Sequence, residues 1–117
     1  MTPETTLRAD AARNRQKLID AASGQFAEAG TDVSLEAIAK RAGVGVGTLY
    51  RHFPTRDALV EAVYRNEVGQ VCSAAEELLA EHSPQVALAE WVKRFAAYLV
   101  TKRGMADALH SMMESRA

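Results

Sequence analysis

Residues 35–53, reading Leu-Glu-Ala-Ile-Ala-Lys-Arg-Ala-Gly-Val-Gly-Val-Gly-Thr-Leu-Tyr-Arg-His-Phe, leave a chain few ways to fold. Leu35, Ile38, Ala39 and Ala42 recur at i, i+3, i+4 and i+7, the period of one buried helix face. Ser34 in front of them offers an oxygen to the first free amides. Gly43 can take the positive φ that ends such a helix, and Val44 plugs the corner. Leu49 and Phe53, four apart, then begin a second apolar stripe. The spacing predicts two short helices crossing at a tight turn, a helix-turn-helix.

The second helix is left with Val46, Gly47, Thr48, Tyr50, Arg51 and His52 on its outer face. Hydroxyls, a phenol, an imidazole and a guanidinium beside small residues suit close approach to phosphates at the rim of a DNA major groove. Val46 and Gly47 carry no side-chain hydrogen bond. Val46 is left to touch a thymine methyl and Arg51 to seek a guanine edge, so few bases are read directly and DNA shape carries part of the specificity. Gly45 and Gly47 admit two readings, a loosened helix start or a backbone able to come close to phosphate.

The run from Gly45 to Leu59, Gly-Val-Gly-Thr-Leu-Tyr-Arg-His-Phe-Pro-Thr-Arg-Asp-Ala-Leu, resembles the recognition helix and following turn of the tetracycline-repressor (TetR) family. The likeness extends over residues 13–64. It implies an all-α fold: a three-helix, homeodomain-like DNA-binding domain at residues 1–56, then at 57–117 a connecting helix and the first part of an α-helical effector-binding and dimerisation domain. It implies phosphate-binding roles for Thr48, Tyr50 and His52 and a backbone-gripping role for Arg56, with Val46, Gly47, Tyr50 and Arg51 placed to reach bases. It further implies a repressor, binding a palindromic operator on double-stranded DNA as a homodimer and released by a small-molecule effector. A DNA-binding protein of the same fold without an effector, acting in nucleoid organisation or through a protein partner, is the alternative.

A formal charge of −1 hides an asymmetry that fits this reading. Residues 1–56 hold 8 Lys/Arg against 6 Asp/Glu, and residues 57–117 hold 6 against 9. The basic excess lies with the helix-turn-helix. The single cysteine, Cys72, forms no internal disulfide, and His52, His82 and His110 are too scattered for a zinc site. No run approaches the ~20 apolar residues of a membrane span, and the polar first ten residues form no signal peptide, so a cytoplasmic protein with no cofactor is expected. Catalysis is not expected. Glu76, Glu77, Asp57 and the histidines make no catalytic constellation, and Gly43-x-Gly45-x-Gly47 lacks the preceding strand of a dinucleotide site.

Along the chain, residues 1–9 show no periodicity and are expected to be a mobile arm. Arg8, Arg13, Arg15 and Lys17 are either the wet face of a helix or positive charge for DNA, laid on its backbone or slipped into a minor groove. A scaffold helix over residues 10–29 buries Leu18, Ile19, Ala22, Phe26 and Ala29 and stops at Gly30. Ser34 is a cap, a phosphate contact, or both.

Pro54 ends the recognition helix and Thr55 caps the next. That helix carries a long stripe from Leu59 to Leu79 on which Cys72 reads as a buried small hydrophobe. Ser83 and Pro84 begin a further helix, expected to end near Lys102, Arg103 and Gly104 before another starts near Met105. Trp91, Phe95, Met105, His110 and Met112 are candidates for lining a small-molecule pocket, with ordinary core as the plainer reading. The chain ends inside what the resemblance makes the first part of the effector-binding body.

Overall fold

The computed structural model describes residues 3–116 as five helices: α1 (Pro3–Ala29), α2 (Leu35–Ala42), α3 (Val46–His52), α4 (Arg56–Glu81) and α5 (Pro84–Arg116). Local chemistry fixes the short ones. The Ser34 hydroxyl accepts from the Ala37 amide at 3.0 Å, which caps α2. At its other end Gly43 takes φ 72°, its amide donates to the Lys40 carbonyl, and the Val44 amide donates to the Ala39 carbonyl. This paired closure is a Schellman motif, and it sets the sharp exit toward α3. Thr55 caps α4 through the Ala58 amide at 3.1 Å.

The main core gathers one face from every helix. Leu18, Ile19, Ala22 and Phe26 of α1 meet Leu35 and Ile38 of α2, Leu49 of α3, Phe53 just after it, Leu59, Val60 and Val63 of α4, and Met105 of α5. The core of the N-terminal helices therefore includes side chains from beyond residue 56. A second, small cluster of Ala74, Leu78 and Ala87, with Trp91 against it, joins the far ends of α4 and α5. The Trp91 indole donates to the Val71 carbonyl at 3.0 Å and its ring stacks on Phe95, centroids 5.3 Å apart. Tyr98 shares a hydrogen bond with Tyr64 across the same pair of helices; burial first, and that bond second, raise its phenol above the ordinary tyrosine range.

Four expectations are corrected. The arm at residues 3–9 is helical, the first turns of α1, because Pro3 suits a first helical position, Glu4 complements the helix N-terminus, and Leu7, Arg8, Ala9, Ala11 and Ala12 are good helix formers. Residues 1 and 2 of that expected arm lie outside the described residues.

Gly104 does not break α5, which runs unbroken to Arg116. The glycine serves contact with α1: a Cβ there would lie 1.9 Å from the Phe26 carbonyl oxygen. Cys72 is exposed, because the buried line of α4 runs through Val63, Ala74 and Leu78 and passes it by. Ala29, at the last turn of α1, is likewise exposed.

Candidate nucleic-acid interface

The outer face of α3 is a compact, polar surface held on a rigid floor. Leu49 is fully buried beneath it and Phe53, after its last turn, almost so. Above them Val46 is 39% and Tyr50 44% exposed. Arg51 donates through Nη2 to the Thr48 hydroxyl at 2.6 Å, one helical turn back, so the guanidinium lies folded along the helix. Its remaining N–H groups stay free to donate outward. His52 is half-buried beside Phe53, ring centroids 6.2 Å apart.

A Cβ built on Gly45 or Gly47 would meet nothing within 4 Å, and neither glycine has positive φ. No internal packing or backbone demand requires glycine at either position. Ser34 lies exposed at the start of α2; its oxygen accepts from Ala37, and its O–H remains available as a donor.

Arg56 is positioned differently from the other basic residues. Its Nη1 donates to the Thr31 carbonyl at 2.8 Å and to the Val33 carbonyl, so it ties the start of α4 to the loop between α1 and α2. Arg15 makes a contact that sequence reasoning did not assign. Its guanidinium sits over the Phe53 ring, 5.2 Å from the centroid, and so joins α1 to the end of α3. The periodicity carried the hint, since Arg15 falls on the line of Leu18, Ala22 and Phe26.

The residues proposed for a small-molecule pocket are dispersed. Met105 is fully buried in the main core. Trp91 borders a small apolar groove with Ala75, Leu79, Pro84 and Leu88, while Phe95 stacks beside it. Met112 borders a different groove, with Tyr64, Lys102, Leu109 and Arg116. His110 is exposed and lies 3.1 Å from the Glu114 carboxylate.

A helix-turn-helix seated on a third helix, with an open polar face and glycines at its leading end, defines a helix-turn-helix protein of the all-α kind. Residues 18–63 match the family described as bacterial regulatory proteins, tetR family. The HTH-type transcriptional regulator SAR0097 of Staphylococcus aureus is 39% identical over 79 residues, 65% of this chain and 41% of that protein. The structure of the TetR transcriptional regulator SCO0520 from Streptomyces coelicolor is 53% identical with a TM-score of 0.80, covering 86% of this chain and 58% of that one. A TetR transcription regulatory protein from Mycobacterium vanbaalenii is 43% identical, TM-score 0.81, covering 91% and 64%. The chain carries, at residues 18–63, the helix-turn-helix segment of the tetR family of bacterial regulatory proteins. It spans about two fifths of the length of that first curated relative.

Proposed function

We propose that this chain is the DNA-binding part of a transcriptional repressor that sits on a palindromic operator as a two-fold dimer and leaves it when a small molecule binds the helical body. The observation that carries the reading is the outer face of α3, where Val46, Tyr50, Arg51 and His52 stand on the buried Leu49 and Phe53 while Gly45 and Gly47 are bare for no internal reason. Such a surface offers donors to phosphates and lets the backbone come near them. In this reading residues 1–56 engage the duplex, and 57–117 carry the connecting helix and the start of the effector-binding body. Ser34, Thr48, Tyr50, His52 and Arg56 hold phosphates, and Val46, Gly47, Tyr50 and Arg51 reach bases, while Arg56 also ties α4 to the α1–α2 loop. An effector acts only through unequal affinity for the bound and released states.

The relatives described above are transcriptional regulators in each case, which supports regulation as the purpose of binding. The test is selection of bound genomic fragments, repeated with His52→Ala and Arg51→Ala. A shared inverted repeat is expected, recovered broadly less well with His52→Ala and relaxed at one position with Arg51→Ala. No enriched sequence from a folded dimer would reject operator binding in favour of shape-led DNA packaging.

A further inference from the structure

The buried line of α1 does not stop where the core stops. Phe26, Ala22, Ile19 and Leu18 face the other helices, and the same line continues toward the N-terminus through Arg15, Ala12, Ala11 and Arg8, all exposed. Arg8, Arg15 and Ala22 are spaced by sevens, which keeps them within about 20° of one another per step around the helix. Arg15 marks where the line leaves the protein, because its guanidinium lies on Phe53 at the end of α3. Arg8 stands two turns further out, about 10 Å along the axis, with only the two alanines between. It makes no ion pair among the described residues.

Arg13 and Lys17 lie on the other side of the helix. Arg13 is paired with Asp10 at 2.9 Å. The charge of α1 is thus sorted by face, and the inner face carries cations at both ends of a low strip of alanines. Glu4, one turn before Arg8, is the carboxylate on that line, at its outer end.

We propose that this strip is a second DNA-binding surface: the sugar–phosphate backbone beside the segment under α3 lies along α1, held by Arg8 and Arg15. The inference rests on the DNA-binding reading above. A helix of about 10–12 Å diameter does not enter a minor groove about 6 Å wide, so the helical state of this arm selects the backbone over the groove. Alanines at 11 and 12 let the helix come close, and the cations are spaced to meet phosphates on either side of that approach.

The experiment is the salt dependence of binding to a fluorescein-labelled duplex of arbitrary sequence, for the unmodified chain, Arg8→Ala, Arg8→Lys and Arg13→Ala. Loss of one phosphate contact lowers the slope of log affinity against log salt by about 0.9, so between 50 and 200 mM salt Arg8→Ala should lose about 3-fold less affinity than the unmodified chain. Arg8→Lys should keep the original slope, and Arg13→Ala should leave it unchanged. An unchanged slope for Arg8→Ala, or an equal fall for Arg13→Ala, overturns the strip and leaves the α3 reading standing. If the unmodified chain shows no salt-dependent binding to duplex, both fall.

Discussion

Arg56 shows how one side chain ties the start of α4 to the loop that leads into α2. Its two hydrogen bonds reach the carbonyls of Thr31 and Val33, the loop from which Ser34 and α2 begin. Those carbonyls are half-covered and have a charged donor, a stronger arrangement than a neutral pair. Arg56→Ala should destabilise the fold by about 1.5–3 kcal/mol in denaturant unfolding. Arg56→Lys should recover only part of that, because an ammonium does not reproduce the guanidinium fork. DNA affinity should fall along with the order of the α1–α2 loop. A full-affinity Arg56→Ala with an intact unfolding curve would show that the tie is dispensable.

Helix α5 comes very close to α1 at Gly104. Gly104 lies against the Phe26 carbonyl, and next to it Met105 fills the main core. A methyl group at 104 meets backbone, not a movable side chain, so the helices must separate. Gly104→Ala should cost about 1–3 kcal/mol although alanine is the better helix former, and it should loosen α5 from α1. Thermal unfolding with hydrogen exchange on residues 101–112 would measure both effects. A more stable variant would mean that the contact yields cheaply.

The molecule as a whole is open for its size. Its radius of gyration is 16.1 Å, against about 13 Å for a compact chain of this length, and its surface is 7615 Å² against about 6,200 Å² expected of a monomer of its mass. Part of that open surface is apolar: on α5, Leu88, Val92, Phe95 and Leu99 are exposed at helical spacing. Stability therefore depends on the main core, and Phe26, fully buried at its centre, is the sharpest test. Phe26→Ala should cost about 3–5 kcal/mol, a large share of the 5–15 kcal/mol typical of a domain, and abolish DNA binding through unfolding. A folded Phe26→Ala that still fails to bind would assign the ring a more direct role.

The helix-turn-helix was legible in the residues themselves because its determinants are local. Leu35, Ile38 and Ala39 on one stripe, Ser34 as cap, Gly43 as the left-handed stop and Pro54 as terminator act within a turn or two of chain. The same period places Val46, Gly47, Tyr50 and Arg51 in the open, while Thr48 and His52 are half-buried. What the spacing left open needed partners distant in the chain. Gly104 reads as a helix stop until Phe26 is seen against it, and Cys72 reads as buried until the direction of α5 across α4 is known. The tie from Arg56 to the α1–α2 loop appears only once that loop is found within its reach. Local propensity and capping determine which residues form helices. Only the packing of those helices decides which side of each one is inside, and so which charges are left to meet a partner.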